Sequence, residues 1–193
     1  MIAAISAAEA GAEVTLLEKN DRLGVKLRIT GKGRCNITNN CDADEVLRNI
    51  PVNSKFLISA MKAFPPSHTM SFFESLGVAL KTERGNRVFP VSESAPQVAQ
   101  ALSDRLKELK VRVEKNRAVD IITKDGKVYA AGTPRGSICC RCLVIATGGL
   151  SYPKTGSTGD GYKLAKSVGH TVTQAFASLV PLESSDIFCG RMQ

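Results

Sequence analysis

The stretch Met1–Glu18 combines a helix, a glycine, a strand and an acid in an order that few folds share. Met1–Gly11 is rich in alanine with apolar residues at helical spacing, and Gly11 stands where a helix C-terminal cap is expected. Glu13–Leu17 is typical of a buried strand, and Glu18 follows it. This is the second half of a βαβ unit, in which an acid at the end of a parallel strand accepts hydrogen bonds from a ribose hydroxyl. The alternative for Glu18 is a surface acid at a strand end that pairs with Lys19 or Arg22.

A basic loop with two glycines, Gly31-Lys32-Gly33-Arg34-Cys35-Asn36, follows the strand. Glycines beside cations let backbone N–H groups approach an anion closely, so the loop predicts a backbone anion site. It is not a phosphate-binding P-loop, because it has no G-K-[ST]. A plain glycine-rich surface turn is the alternative. Cys35 either faces a ligand or is a small buried filler.

A second candidate segment lies far along the chain, at Ala146–Gly161. Leu143–Thr147 predicts a buried parallel strand closed by Gly148-Gly149, and open α/β sheets bind ligands beyond the carboxyl ends of their strands. The run TGSTGDG then opens a predicted helix, Gly161–Val168, with Asp160 as its N-cap. The partial positive charge of that helix N-terminus favours an anionic group nearby.

Helices and short strands fill the space between the two segments. The clearest is an amphipathic helix at Ser94–Leu109, with Val98, Leu102, Leu106 and Leu109 on one face. Short predicted strands include a hairpin, Val78–Thr82 with Arg87–Val91, and a later run at Val111–Glu114, Val119–Thr123, Val128–Ala131 and Ser137–Cys142. Asp125-Gly126 is a favourable hairpin turn within that run.

Composition limits the function classes. The formal charge is +8, but the basic residues are spread along the chain and only three Tyr and seven Phe are available for base stacking. This argues against direct nucleic-acid binding and suits a phosphorylated ligand equally well. The spacing of the six Cys is interpreted as containing no C-x-x-C pair, and only two His accompany them, so we expect no metal site. No long apolar run or export signal is present, so we expect a cytoplasmic protein with reduced thiols and no membrane partner.

Five ordered motifs resemble one known family. They are EKN-x-x-x-G-x-K, TGKGRCN-x-TN, VFP-x-S, ATGG-x-SYP-x-TGSTGDGY and SLVPL, and together they cover nearly the whole chain. The chain thereby resembles the HI0933-like, or aminoacetone-oxidase-like, bacterial FAD-dependent oxidoreductases. The resemblance implies a glutathione-reductase-type FAD fold and flavin-mediated hydride transfer with a small organic substrate. NAD(P)H as electron donor stays open, and neither the oligomeric state nor a catalytic acid or base can be assigned.

The resemblance also assigns cofactor contacts. Glu18 matches the ribose-binding acid, and Ala118 falls near the position whose backbone meets the adenine. Thr147, Gly148 and Gly149 match a second cofactor-contacting turn. The remaining implied FAD-site residues are Lys19, Lys26, Gly31, Gly33, Cys35 and Asn36 on the first segment, and Tyr152, Thr158 and Asp160 near the flavin ring.

The fold class expected is therefore α/β. It is a partial Rossmann-like FAD-binding domain whose parallel sheet lacks its first strand, with a small antiparallel β-meander and a helical insertion. The expected divisions are a nucleotide-binding part (1–50), a helical and hairpin insertion (51–110), the β-meander (111–142) and a second FAD-contacting segment (143–180), followed by the start of an inserted β-rich domain (181–193).

The family's G-x-G-x-x-G turn would precede Met1, so we expect a chain truncated at both ends that binds FAD weakly or not at all. Two alternatives stay open at this point: a flavin-associated protein that interacts with nucleic acid, and an inactive fragment of the parent flavoenzyme.

Overall fold

Helices and short strands alternate along residues 1–177, the part of the chain that the computed structural model describes. Short 3₁₀ segments occur at Leu27–Gly33, which is kinked at Thr30–Lys32, and at Ser54–Leu57 and Pro153–Thr155. The other elements, in chain order, are α1 (Ile2–Glu9), β1 (Thr15–Glu18), β2 (Thr38–Asn39), α2 (Ala43–Arg48), α3 (Ile58–Ala63), α4 (Pro66–Ser75), β3 (Leu80–Glu83), β4 (Arg87–Pro90), α5 (Ala95–Glu108), β5 (Arg112–Lys115), β6 (Asp120–Lys124), β7 (Lys127–Thr133), β8 (Gly136–Cys139) and α6 (Asp160–Ser167). The predicted α/β class is confirmed. The SLVPL motif and the predicted domain start at 181–193 lie outside the described residues.

The predicted helix–glycine–strand unit at the start of the chain is present. Gly11 has φ +84° and ends α1, because its N–H donates to the Ala8 carbonyl while the N–H of Ala12 donates to that of Ala7. This pair of bonds satisfies carbonyls that the helix end would otherwise leave unpaired, at a backbone conformation that glycine adopts without strain. Strand β1 follows, and Glu18 is the residue at its carboxyl end.

Strand β1 pairs in parallel with β5, with Leu16 opposite Val113 and Glu18 opposite Lys115. The strand at Val111–Glu114 was predicted to run with the later meander, and that grouping is wrong. Helix α5 carries the chain back to the start of the sheet, which is the crossover that a parallel pair requires. The two antiparallel sheets have the orders β2-β4-β3 and β6-β7-β8, and the Asp125-Gly126 turn joins β6 to β7 with both φ angles positive.

The hydrophobic core lies along one face of α5. Val98, Leu102 and Leu106 are buried, as predicted, whereas Leu109 at the helix end is only partly buried. They pack with Ile5 of α1 and with the other buried members of the cluster, which are Ala4, Cys35, Phe73, Val78, Ala95 and Val111. Ser94 caps α5 by accepting a hydrogen bond from the Gln97 N–H, so the apolar stripe begins at a defined residue.

The strand predicted at Leu143–Thr147 is not formed, and that prediction is wrong. Val144 is 71% exposed and Ile145 39% exposed, although both were expected to be buried. A strand needs a neighbour to accept and donate its ladder hydrogen bonds. Within residues 1–177 no strand pairs with this segment, so it is a loop that leads to Gly148.

A membrane span was not expected from the sequence. In the described part of the chain, none of the helices combines the length and the apolar composition needed to cross a bilayer.

Candidate cofactor site

Glu18 lies at the carboxyl end of β1, and one of its two carboxylate oxygens accepts hydrogen bonds from the protein. Its Oε1 accepts hydrogen bonds from the backbone N–H of Asn20 at 2.8 Å and from Asn20 Nδ2 at 2.7 Å. Among the described residues, nothing donates to Oε2. The alternative in which Glu18 pairs with Lys19 is wrong, because that ammonium bonds elsewhere. One carboxylate oxygen is therefore oriented by Asn20 while the other stays available to a ligand hydroxyl.

The start of α1 lies close to the same carboxylate. Burial lowers the pKa of the Met1 amino group, and the negative charge of Glu18 acts in the opposite direction. A helix N-terminus beside an acid at a strand end is the arrangement by which parallel α/β folds hold a dinucleotide, with phosphate at the helix and ribose at the acid. These residues fit the nucleotide part of FAD.

The two candidate segments meet at Asp160. Lys19 Nζ donates to Asp160 Oδ2 at 2.8 Å and to Thr158 Oγ1 at 2.7 Å, and Arg117 Nη2 donates to Asp160 Oδ1 at 3.0 Å. We call Lys19, Arg117, Thr158 and Asp160 the Asp160 cluster. It joins the end of β1, the segment after β5 and the start of α6, which are far apart in the sequence.

In this cluster Asp160 acts as an ionised carboxylate that binds two cations, and it does not act as a helix cap. Its side chain is 8% exposed, and the hydrogen bond from Lys19 is the main reason that its pKa is lowered, with the charges of Lys19 and Arg117 adding to the effect. Its predicted role as N-cap is wrong, because Asp160 is the first residue of α6 and Gly159, with φ +75°, takes the cap position. Its two oxygens are engaged by protein cations, so Asp160 positions the two segments.

A second tie joins Lys26 to the loop before α6. Lys26 Nζ donates to the Ser151 carbonyl at 3.1 Å, to Ser151 Oγ at 2.9 Å and to Ser157 Oγ at 3.4 Å. Tyr152 lies between these serines, 68% exposed and with φ +55°, a conformation that costs a tyrosine strain. The loop therefore presents the Tyr152 ring outward, on a backbone that Lys26 fixes.

The glycine loop has the backbone that a close-approach site needs. Gly31, Lys32 and Gly33 all have positive φ, at 56°, 58° and 86°. The N–H groups of Arg34 and Cys35 are already bonded to the carbonyls of Gly31 and Thr30. The amides of Arg34 and Cys35 are therefore not free to bind an anion.

The rest of the loop is anchored to the protein. Arg34 binds Glu83 and Glu93 and lies 4.2 Å from the Phe89 ring centre, so its charge is neutralised internally. Cys35 is fully buried in the core, and burial raises the pKa of its thiol, which supports the buried-filler alternative. The Asn36 side-chain amide, with its nitrogen turned inward, donates to the carbonyls of Val88 and Thr38. Cys35 and Asn36 thus hold the loop in place.

We expect Gly31→Ala to destabilise the protein more than Gly33→Ala. A Cβ at Gly31 would lie 2.9 Å from the backbone nitrogen of Asn36 and 3.0 Å from Phe89 Cε1, whereas a Cβ at Gly33 meets nothing within 4 Å. Both changes incur the left-handed backbone cost of about 1 kcal/mol, and the contact at Gly31 raises its total to about 2 kcal/mol. Urea unfolding measures the free energy of unfolding of both variants. Equal decreases would contradict a close contact between a Cβ at Gly31 and its neighbours.

Glycines also let the Ala146–Gly149 turn lie against α6. A Cβ on Gly148 would meet Ser157 Oγ at 2.9 Å, and one on Gly161 would meet Thr147 Oγ1 at 2.5 Å. The Gly149 carbonyl accepts from the Gly159 N–H at 3.2 Å. The predicted turn is thus brought to the helix start without being part of a strand.

Ala118 lies beside the Asp160 cluster. It is half-buried and lines a cleft of about 240 Å³ together with Arg117, Asp160 and one face of α6. That the backbone at Ala118 meets the adenine stays a prediction of the resemblance.

Three residues of the site were not singled out from the sequence. Asn20 and Ser157 lie inside the motifs quoted above. Their polar side chains, next to candidate residues, could have indicated a role in the site. Arg117 carried no such signal, because nothing near it in the chain indicates its partner Asp160.

Comparison with known proteins gives the following matches. The family model described as HI0933-like protein Rossmann domain matches residues 1–184. The chain is 33% identical over 185 residues to the 3-dehydro-bile acid delta(4,6)-reductase of Clostridium scindens, covering 95% of this chain and 44% of that protein. It is 30% identical over 181 residues to the ribosomal RNA dihydrouridine synthase of Escherichia coli, covering 94% of this chain and 44% of that protein. The chain thus spans less than half the length of these relatives.

Among solved structures, the L-proline dehydrogenase of P. horikoshii matches with a TM-score of 0.49 and 14% identity, over 88% of this chain and 53% of that one.

Proposed function

The chain belongs to the HI0933-like Rossmann-domain family, and on that premise we propose that it carries the nucleotide-binding part of an FAD-dependent oxidoreductase. One observation carries the proposal. The two segments that the resemblance assigns to the cofactor, more than a hundred residues apart, are joined by Lys19, Thr158 and Asp160 at the carboxyl end of β1. That edge is where open α/β sheets bind their ligands.

The residues that would hold FAD are inferred from polar atoms without a hydrogen-bond partner among the described residues, and from backbone that a ligand can approach. The Oε2 oxygen of Glu18 would accept from a ribose hydroxyl, while Asn20 keeps the carboxylate oriented. Gly31, Gly33 and Gly148 have no side chain, which allows the backbone to approach the cofactor closely. When bound, FAD supplies hydride transfer, which protein side chains cannot perform.

The Asp160 cluster and Lys26 would act by positioning. The pKa of Asp160 is lowered, so at neutral pH it is a fixed negative charge and holds no proton to transfer. The ammonium of Lys26 holds the Ser151–Ser157 loop, which sets where the exposed Tyr152 ring stands. The chain's own contribution is therefore orientation and electrostatics, and we assign no acid or base.

The substrate is proposed as a small organic molecule, with NAD(P)H as a candidate electron donor. The bile acid reductase of C. scindens supports the small-molecule reading, since it is 33% identical to this chain. Anaerobic addition of NADH or NADPH to the FAD-loaded protein tests the donor, because a competent one bleaches the flavin absorbance.

A second candidate is an oxidoreductase that acts on RNA. The ribosomal RNA dihydrouridine synthases of E. coli and Haemophilus influenzae are 30% and 28% identical to this chain, and the net charge is +8. Retention of RNA that falls steeply with salt would favour this candidate, since phosphate contacts release counterions. No retention at low salt would remove it.

FAD titration tests the proposal directly. We expect saturable quenching of FAD fluorescence by the 193-residue chain or, if its affinity is too low to measure, by a version extended with the flanking coding sequence. If neither form binds FAD, the proposal is wrong.

Glu18→Gln is expected to weaken FAD binding about tenfold, because a neutral amide accepts a ribose hydrogen bond less strongly than a carboxylate. Glu13→Gln, at an exposed position before β1, is the matched control and leaves the affinity unchanged. Thermal melting without FAD separates binding from folding, since both variants should melt close to the parent. Equal affinities for Glu18→Gln and the parent would exclude Glu18 as the ribose ligand.

A further inference from the structure

Three cysteines lie within four residues at the end of β8, at positions 139, 140 and 142. The interpretation that no C-x-x-C pair is present is wrong, because Cys139 and Cys142 stand at that spacing. Such a pair in a reduced protein is typical of thiol redox chemistry or a metal site. Within residues 1–177 no group of three or more His, Cys, Asp and Glu side chains has a geometry that could hold a metal ion.

The fold places Cys139 and Cys142 at the surface, on either side of a bend in the chain. Strand β8 ends at Cys139, and the chain bends at Arg141 as it leaves the sheet. Cys139 and Cys142 are exposed, whereas Cys140 is half-buried and its N–H is held by the Tyr129 carbonyl. Burial raises the pKa of the Cys140 thiol, and the charges of Cys139 and Cys142 act in the same direction.

We propose that Cys139 and Cys142 form a redox-active dithiol, which peroxide oxidises to an intrachain disulfide. The pair is chosen by exposure, since a thiol must reach both the oxidant and its partner. Cys140 is the poorer nucleophile of the three, because its half-buried thiol gives up its proton less readily. The proposal is independent of FAD binding.

The chemistry balances with hydrogen peroxide as the oxidant. One thiolate attacks the O–O bond and becomes a sulfenic acid, and the departing hydroxide takes up a proton to leave as water. The second thiol then attacks the sulfenic sulfur, forms the S–S bond and releases a second water. The two sulfurs lose two electrons in total, and peroxide gains them. A dithiol reductant reverses the bond.

Tryptic mapping tests the pair, because Arg141 lies between the two cysteines. Cleavage after Arg135, Arg141 and Lys154 gives the peptides 136–141 (GSICCR) and 142–154 (CLVIATGGLSYPK). After treatment of the reduced 193-residue chain with peroxide and blocking of free thiols, we expect these two peptides to be joined, lighter by two hydrogens, and separated again by dithiothreitol.

Two serine variants identify the partner within GSICCR. Cys140→Ser should keep the joined peptides, and Cys139→Ser should abolish them. The opposite pattern, a loop closed between Cys139 and Cys140, or a bond from Cys142 to Cys35, Cys41 or Cys189 would overturn the proposal. So would a disulfide between two chains, seen on a non-reducing gel, or oxidation of the thiols to sulfonic acids with no joined peptides.

Discussion

Asp160→Asn is expected to lower the free energy of unfolding by about 2.5 kcal/mol, because it removes the buried negative charge that pairs with Lys19 and Arg117. An asparagine has one acceptor oxygen, so it cannot serve both Lys19 and Arg117, and its amide nitrogen would face one of the two cations. Lys19 is 24% exposed and Arg117 is 53% exposed, so water offsets part of the loss. Urea unfolding at neutral pH measures the difference.

The pH dependence distinguishes this ion cluster from a simple packing defect. The pKa of Asp160 is lowered in the folded protein from its ordinary value of 3.8. A lowered pKa contributes stability that is fully present above the unfolded value and is lost as pH falls through the folded one. The difference in free energy of unfolding between the parent and Asp160→Asn should therefore be constant above about pH 5 and should become smaller below pH 4.

Asp125→Asn is the matched control for the same chemical change. Asp125 lies in the β6–β7 turn with φ +51°, and Asn-Gly suits that turn as well as Asp-Gly. We expect its stability to stay within about 0.5 kcal/mol of the parent. If the two variants lose equal stability, or if the loss at Asp160 does not change with pH, the ion cluster does not hold the two segments together.

Leu106→Ala should lower the free energy of unfolding by about 3.5 kcal/mol, the largest effect that we expect. Leu106 is 1% exposed and packs in the cluster that joins α1, α4 and α5. Truncation removes buried apolar surface and leaves a cavity that helices on several sides cannot close. The same urea series measures it.

Leu150→Ala is the control for that truncation, since Leu150 is 54% exposed in the loop after Gly149. Its stability should stay within about 0.5 kcal/mol of the parent. If Leu106→Ala lowered the free energy of unfolding no more than Leu150→Ala does, the apolar face of α5 would not form the core.

The elements that were predicted well depend on residues close together in the chain. Helix α5 follows from a serine cap and apolar residues at helical spacing, and the β6–β7 hairpin follows from Asp125-Gly126. Cys35 shows the limit of such local patterns, because its sequence neighbours suited a ligand contact and a buried filler equally. Only its burial under α5 favoured the filler.

The two wrong predictions at Leu143–Thr147 and Asp160 share a cause. The apolar run LVIAT has strand propensity, but a strand is stabilised by a neighbour, and propensity does not supply one. Asp160 has the residue type of an N-cap, yet two cations distant in the chain attract its carboxylate more strongly than the helix amides do.

By itself the sequence determined the helix–glycine–strand–acid unit, the α5 stripe and the two glycine-bearing segments, because short-range hydrogen bonds and apolar periodicity specify them. The tertiary structure alone decided that Lys19 joins those segments through Asp160, that Arg117 completes the cluster, and that β5 pairs with β1. Contacts between residues so far apart depend on how the elements pack, and the chain's local pattern carries no record of that packing.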